Sequence, residues 1–343
     1  MIVVTIPIEP LEERYSIDWN NWFRESFVEH RINYVTIYGD NTSGKINSGS
    51  FLDVVETNVY KTSQLIQILK FIATTPKDEK VVLFFHDLWF PGLEAIAYIR
   101  DGLGLKNLKI CGCLHAGSYD QWDFLNQKGM APWAEYMEKG WFNGIVDKIF
   151  VATDFHKRLL HNERSINLGK IEVTGFPFYL KPECTPNAEL NRKRMIVFPH
   201  RLDKEKQPHL FDSMQQSCSI DSEFSDVVWI KTKKIARNKS DYYMFLKSAQ
   251  IALSFAQQET WGIAMQEATV CGAIPLCPDR LSYSEMYLSD FLYNDLNDLW
   301  RKIHFFMSMD PSEYQHTLKL QQQMILNAGR QAIPNIINLI RTL

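Results

Sequence analysis

The first half of the chain alternates short apolar runs with longer amphipathic stretches. Residues 2–8 form an apolar run of strand length, and residues 11–31 have the spacing of an amphipathic helix. The rest of this half predicts strands at 32–40, 81–90, 108–117, 147–152 and 170–179, helices at 58–74 and 92–104, and a polar turn-rich loop at 41–50. Such a βαβ rhythm predicts a parallel sheet with helices on both faces and functional groups at the carboxyl ends of its strands.

A stretch rich in proline, asparagine and charge, KPECTPNAELNRK at 181–193, interrupts this rhythm and is the best linker candidate. Beyond it the apolar runs in RMIVFPHRLDKEK, DVVWIKTKK, AQIALSFA and GAIPLCP start a second βαβ series. The tail from 297 to 343 has a helical pattern, with breaks expected at Pro311 and Pro334. We therefore expect two α/β domains, 1–185 and 186–343, and the last helix is a candidate to pack on the first domain.

The composition excludes several classes of protein but does not identify the function. With 37 basic and 40 acidic residues the net charge is −3, which excludes a wholly basic nucleic-acid coat but not a local basic stripe. Six scattered cysteines do not form a disulfide framework, and no Cys/His pair follows the C-x-C at 111–113 at zinc spacing. No segment reaches the roughly 18 apolar residues of a membrane span, and the N-terminus lacks signal-peptide features. We expect a soluble, cytoplasmic protein.

The segment at 252–278 carries the most informative chemistry. Glu259 and Glu267 stand eight residues apart, and a helix beginning near Trp261-Gly262 would place Glu267 inside the helix and Glu259 in the loop before it. A loop carboxylate there can accept hydrogen bonds from sugar hydroxyls, a helical one can bind a ribose diol, and the N–H groups between them can face a diphosphate. Neither the G-x-G-x-x-G nor the P-loop motif occurs, so a dehydrogenase or a P-loop enzyme lacks its signature.

Residues 259–275, ETWGIAMQEATVCGAIP, resemble the E-x7-E motif of retaining, nucleotide-sugar-dependent glycosyltransferases of the GT-B fold. FPHRLDKEKQP at 198–208 is similar to the strand and G-R-L-x-x-E-K-G loop that open the second domain of that family. The resemblance implies two Rossmann-like domains facing across a cleft, a UDP-sugar as co-substrate, no tightly bound cofactor and no metal. It assigns catalysis to Glu259, His115, Arg201 and Lys206, and donor binding to Glu267, Gly262, Trp261, Ile263 and Ser284. Asp120, in the loop after His115, is a further catalytic candidate.

Several of these residues have simpler explanations. His115 ends an apolar strand, where a core histidine is the alternative, and the His86-Asp87 pair is a competing strand end. Asp120 or Asp123 could orient or deprotonate an acceptor hydroxyl, although loop acids are mostly solvated. Arg201 and Lys206 lie in a charged turn, which is commonly a solvated corner. Aromatic residues at 133, 136 and 141 form either an acceptor platform or part of the core.

The acceptor is the least determined part of the prediction. Segments 6–23, 86–94 and 114–125 resemble glycosyltransferases encoded by tailed phages, which implies a hydroxymethylated pyrimidine in double-stranded DNA and a host-cytoplasm location. The basic run KTKKIARNK, with Lys231, Lys233, Lys234, Arg237 and Lys239, would suit nucleic-acid phosphates, and a solvated turn explains it equally well. A cell-envelope glycosyltransferase and a non-catalytic nucleotide-sugar-binding module are the alternatives.

Overall fold

The computed structural model describes residues 1–11, 15–40, 53–185 and 193–343. The chain divides into two compact units: unit 1 is Met1–Pro177 with Gln331–Leu343, and unit 2 is Phe178–Arg330. The sequence pattern placed the domain boundary at residue 185. The polar loop expected at 41–50 and residues 186–192 of the expected linker lie outside the described residues.

Unit 1 is a six-stranded parallel sheet flanked by helices. Its strand order is β2-β1-β3-β4-β5-β6. The strands are β1 (Ile2–Ile6), β2 (Tyr34–Thr36), β3 (Val81–Phe85), β4 (Leu108–Cys113), β5 (Lys148–Val151) and β6 (Ile171–Val173). The helices are α1 (Ser16–Glu29), α2 (Val54–Thr74), α3 (Leu93–Gly102), α4 (Phe124–Gln127), α5 (Ala131–Gly140) and α6 (Asp154–Arg164), with a π-helical turn at Trp141–Ile145 and a 3-10 turn at Leu168–Lys170.

Unit 2 repeats the architecture with a five-stranded parallel sheet in the order β11-β10-β9-β7-β8. Its strands are β7 (Met195–Phe198), β8 (Val228–Lys231), β9 (Ile251–Leu253), β10 (Ile274–Pro278) and β11 (Leu292–Tyr293). Its helices are α7 (Pro208–Ser219), α8 (Thr232–Ile235), α9 (Lys239–Ser248), α10 (Ile263–Val270), α11 (Tyr283–Met286) and α12 (Leu296–Ser308), and α13 (Pro311–Thr342) begins in this unit. Single 3-10 turns occupy Pro182–Cys184, Lys204–Lys206, Ser222–Phe224 and Ser289–Phe291.

Burial explains why the strands could be recognised in the sequence. Every residue of β3 is buried, as expected of a central parallel strand covered on both faces. Along α1, Trp19, Phe23 and Phe27 recur every fourth residue and form one buried face. Because all strands of each sheet run in parallel, the loops that follow β1, β3 and β4, and those that follow β7 and β9, meet at one edge of their own sheet.

The break expected at Pro334 is wrong, because α13 continues through this proline to Thr342. A proline inside a helix loses one backbone hydrogen bond and costs about 3 kcal/mol or more. Next to it, Ile333, Ile336, Ile337 and Ile340 are each at most 1% exposed. Burial of four isoleucines, at roughly 1.5–3 kcal/mol each, outweighs that cost. Pro311, by contrast, opens the helix at its first position, where a proline is well tolerated.

Candidate functional site

The loop between β9 and α10 is organised around the carboxylate of Glu259. Its Oε1 accepts hydrogen bonds from the backbone N–H groups of Thr260 (3.0 Å), Trp261 (3.3 Å) and Gly262 (2.8 Å). Gly262 has φ 71°, and a Cβ there would lie 3.1 Å from the Tyr283 ring. Glycine is therefore needed where the chain enters the helix. As the spacing predicted, Glu259 lies in the loop and Glu267 in the helix.

Lys206 holds the second oxygen of this carboxylate. Its Nζ donates to Oε2 of Glu259 at 3.2 Å and to the carbonyl of Gln258. Burial alone would raise the pKa of Glu259, but the Lys206 ammonium, His200 and the N–H groups of Gly262 and Trp261 together lower it to about 2. The two side chains thus form an ion pair at neutral pH, with little of either exposed. The resemblance named both residues but did not predict this contact.

Arg201 follows β7, as expected, and is held by two acids of its own turn. Its guanidinium contacts Asp203 at 3.0 Å and donates to Glu205 from both Nε and Nη2. The carbonyl of Glu205 accepts from the backbone N–H of Gln257 at 2.8 Å, which ties this turn to the Glu259 loop. Arg201 and Lys206 are therefore both ion-paired, each with a carboxylate partner. A diphosphate would have to compete with or share these partners.

Glu267 is almost completely buried and is bound by three side chains that the sequence did not identify. Tyr243 donates its hydroxyl to Oε1 at 2.6 Å and Tyr242 to Oε2 at 3.1 Å, while Lys181 lies 3.7 Å from Oε1. Burial, followed by the charge of Glu267, raises the pKa of both tyrosines, so they remain hydrogen-bond donors at neutral pH. A ribose diol bound here would share the carboxylate with these phenols.

The remaining predicted donor residues differ in exposure. Trp261 is buried and Ile263, the first residue of α10, is half-buried. Ser284 is exposed on the single turn α11, whereas Ser282, just before it, is fully buried. His200, which follows β7 at the position where the family has glycine, is 3% exposed. Burial and then the Lys206 charge lower the pKa of His200 to about 3, so its imidazole is neutral beside the ion pair.

His115 lies at the end of β4 in unit 1 with both ring nitrogens engaged. Nε2 lies 2.8 Å from the carbonyl of His86 and Nδ1 lies 3.2 Å from the Tyr15 hydroxyl. The ring packs on Trp19 and Phe176, and burial lowers its pKa. Such contacts fit the alternative of a packed histidine.

The two competing candidates at the end of β3 behave differently. His86 is a core residue, with its ring between Thr5 and Asn20 and its pKa lowered to about 3 by burial and then by His115. Asp87 forms an ion pair with Lys61 at 3.0 Å. Asp120 caps its own turn by accepting from the N–H of Trp122, and Asp123 caps α4 through the N–H of Leu125.

A cavity of about 490 Å³ opens in unit 1 at the carboxyl ends of β1, β3 and β4. Its volume lies in the range of roughly 300–1,000 Å³ that is usual for small-molecule sites. Aromatic and thioether side chains form much of the wall, and His115, Asp87 and Asp123 line it with them. The lining includes Trp89, Trp133 and Trp141, together with Phe90, Phe124, Met130 and Met137. Asp120 and Tyr136 are not among the lining residues.

The basic run of unit 2 is only partly available to phosphates. Lys231 pairs with Asp212 at 2.6 Å and Arg237 with Asp241 at 3.0 Å. Lys233 and Lys234 are exposed on the single turn α8, and Lys239 begins α9. Because Lys231 and Arg237 are held by acids of the same unit, the run supports the solvated-turn interpretation more than a continuous cationic stripe.

The part of the chain that the structure describes contains neither a cluster of metal ligands nor a membrane-spanning helix. No group of three or more His, Cys, Asp or Glu side chains there has an arrangement that could hold a metal ion. All six cysteines are buried, and none of them forms a disulfide. Within the described ranges, no helix has both the length and the apolar character needed to cross a bilayer.

No protein-family model matches the sequence. The tRNA-queuosine alpha-mannosyltransferase of Drosophila melanogaster is 29% identical in an alignment of 170 positions that covers 41% of this chain and 45% of that protein. The match thus spans less than half of the relative's length.

Several solved structures match nearly the whole chain, among them a sucrose-phosphate synthase and the protein HepE. Sucrose-phosphate synthase from Thermosynechococcus elongatus has a TM-score of 0.69 and 11% identity, covering 99% of this chain and 98% of that one. The Anabaena protein HepE in complex with UDP has a TM-score of 0.62 and 9% identity, with both chains covered completely. HepE is also known in complex with UDP-glucose. At such identities the likeness establishes the fold alone, and that fold is the GT-B glycosyltransferase fold of two Rossmann-like domains.

Proposed function

We propose that this chain is a retaining glycosyltransferase that moves a hexose from a nucleoside-diphosphate sugar to a hydroxyl group on a modified base of a nucleic acid. The observation that carries the proposal is the buried Lys206–Glu259 pair at the N-terminus of α10, in a chain with the GT-B fold. A buried ammonium beside a helix N-terminus is suited to binding a diphosphate. The positive charge of the ammonium and the N–H groups at the start of the helix both stabilise negative charge.

The proposed roles in unit 2 follow from charge and position. Lys206 and Arg201 stabilise the departing diphosphate, with their carboxylate partners keeping both cations oriented. Glu259 binds hydroxyls of the donor sugar and Glu267 binds the ribose. Since the N–H groups of residues 260–262 already serve Glu259, the diphosphate would use the next N–H groups of the helix, those of Ile263 and Ala264.

The reaction requires one bond to form and one to break at the anomeric carbon. The acceptor oxygen bonds to that carbon on the face from which the diphosphate departs. The acceptor's proton passes to the departing phosphate oxygen, and the products are the glycoside and a nucleoside diphosphate. No enzyme nucleophile is needed, and the configuration is retained. The relative's name specifies an α-linked mannose, which suggests the configuration to look for.

The relative also guides the choice of acceptor. It acts on queuosine in tRNA by its name, so a hydroxyl on a modified nucleobase is the acceptor we propose. The hydroxymethylated pyrimidine of phage DNA remains a predicted acceptor. Like queuosine it offers a hydroxyl on a modified base, but its base belongs to DNA and not to tRNA. UDP-hexoses are proposed donors because HepE binds UDP and UDP-glucose, and GDP-mannose is a further one because of the mannosyl relative.

The first prediction tests the reaction directly. Purified protein is incubated with radiolabelled UDP-glucose, UDP-galactose or GDP-mannose and with queuosine-containing tRNA or hydroxymethylcytosine DNA, and label is counted on the polymer. We expect transfer to one polymer, a loss of about 100-fold or more in Glu259→Gln and Lys206→Ala because both act on the transferring group, and retained anomeric configuration by NMR.

The control for this experiment is Lys204→Ala, since Lys204 is an exposed lysine in the same 3-10 turn as Lys206. This variant should keep full activity. Label on a lipid or oligosaccharide instead of a nucleic acid would show a cell-envelope acceptor. Binding of nucleotide sugar with no transfer to any acceptor would identify a non-catalytic binding module.

A further inference from the structure

The cavity of unit 1 has walls that suit a planar ring. The Trp89 ring lies 5.6 Å from the Trp141 ring and 6.1 Å from the Trp133 ring, in edge-to-face geometry. The N–H of Trp89 donates to Glu138 at 3.0 Å and that of Trp141 to Glu94 at 2.8 Å. Both rings are therefore fixed by hydrogen bonds to residues that are not part of the lining.

Trp133 differs from these two because almost half of it is solvent-exposed. It lies near the start of α5, on the cavity wall, while Tyr136 on the same helix is 80% exposed and does not line the cavity. A half-exposed indole next to a fixed aromatic wall offers a stacking surface. Stacking of a base on an aromatic side chain is independent of base identity, since every base has a π-face.

The charged side chains that line the cavity are mostly acidic. Among the described residues that line the cavity, three are carboxylates, Glu9, Asp87 and Asp123, and one is an ammonium, Lys61. A carboxylate has about four acceptor positions, so one that already serves a protein donor can also accept from a ligand hydroxyl or amino group. The net negative formal charge disfavours phosphate in the cavity and favours a neutral or cationic ligand with hydrogen-bond donors.

We infer that this cavity receives the modified base itself, turned out of the strand, with its ring on Trp133 and its hydroxyl or amino groups on the carboxylates. The inference rests on the proposed function for the statement that the base belongs to a nucleic acid. Enzymes that act on a base extrude it into a pocket where aromatic side chains stack on it and polar groups read its edge. The negative charge of the lining then keeps the phosphate backbone outside the cavity, so the cavity itself needs no site for phosphate.

The experiment measures binding of free nucleosides, which needs neither donor nor turnover. Queuosine and 5-hydroxymethyl-2′-deoxycytidine are titrated into the full chain, with tryptophan fluorescence and calorimetry as readouts. We expect one of the two nucleosides to bind and to quench the indoles. Trp133→Ala should weaken binding by roughly 10-fold, the range of one stacked base. Trp133→Phe should restore most of it, and Tyr136→Ala should leave it unchanged.

The outcomes separate this inference from the proposed reaction. Polymer glycosylation that proceeds normally in Trp133→Ala, with unchanged nucleoside binding, would overturn the cavity assignment and leave the reaction standing. Nucleoside binding that depends on Trp133, in a protein that transfers no sugar, would support the cavity and contradict the reaction. Preference for queuosine or for the hydroxymethylated deoxynucleoside decides between RNA and DNA. A melting temperature within experimental error of wild type confirms that the exposed Trp133 can be truncated without unfolding.

Discussion

Glu267 shows how much of the site depends on residues that lie far from the motif in the sequence. Its carboxylate is bound by Tyr242 and Tyr243 from α9 and approached by Lys181 from the start of unit 2. The spacing of the two glutamates was enough to place Glu267 in a helix. It carried no information about these partners, because the contact depends on how α9 and α10 pack. Two adjacent tyrosines in an amphipathic segment look like ordinary core residues.

The partners of Glu267 lead to a prediction about stability. Tyr243→Phe removes a hydroxyl that donates at 2.6 Å to a buried carboxylate, so we expect a loss of about 1.5–3 kcal/mol in the free energy of unfolding. Tyr242→Phe, whose bond is 3.1 Å long, should cost less. Tyr98→Phe is the control, since Tyr98 is 81% exposed and should change nothing. Urea unfolding measures all three, and equal effects for Tyr243 and Tyr98 would contradict the role of this bond.

At the level of elements, the strands were the easiest part to predict and the helix ends the hardest. Parallel strands covered on both faces are nearly continuous apolar runs, and β3 is one. The start of α10 was also predictable, since Gly262 marks it in the sequence. The course of α13 through Pro334 was not, because the isoleucines that outweigh the proline act through tertiary packing. The acidic partners of Arg201 were visible in its own turn, RLDKEK, as residues i+2 and i+4.

The entrance to α10 leads to a prediction about stability and activity. Gly262→Ala places a Cβ at a residue with φ 71°, 3.1 Å from the Tyr283 ring. The left-handed conformation costs about 1–2 kcal/mol for a residue with a side chain, and relaxing it would move the N–H that binds Glu259. We therefore expect lower stability together with a large loss of transferase activity, measured by urea unfolding and the transfer assay.

Gly144→Ala is the matched control for Gly262→Ala. A Cβ at Gly144 meets no atom within 4 Å and its φ is not positive. This variant should keep wild-type activity and stability. Full activity in Gly262→Ala would show that the geometry of the loop is not needed for catalysis.

At the scale of the whole molecule, buried histidines make stability depend on pH. Burial, as the largest cause, lowers the pKa of His86, His156 and His200 from the usual 6.5 to about 3. Between these values the unfolded chain binds more protons than the folded one, so stability rises with pH and is lost as the pH falls below about 6.5. Each histidine contributes up to about 1.4 kcal/mol per pH unit. Glu259 adds to the loss with the same sign, but only below pH 4.5.

The resulting prediction is that His86, His156 and His200 together lower the free energy of unfolding by about 4 kcal/mol per pH unit once the pH is well below 6.5, as measured by urea unfolding from pH 7.5 to 5. His115, whose pKa is also lowered by burial, adds to this loss with the same sign. His200→Asn should reduce the slope by up to about 1.4 kcal/mol per pH unit, because this imidazole no longer titrates in the unfolded chain. The control is His209→Asn, which alters an exposed histidine nine residues further along the same unit. This variant should leave the slope unchanged. If His200→Asn kept the full wild-type slope, His200 would have to bind its proton in the folded state, and the neutral imidazole beside the Lys206–Glu259 pair would be wrong.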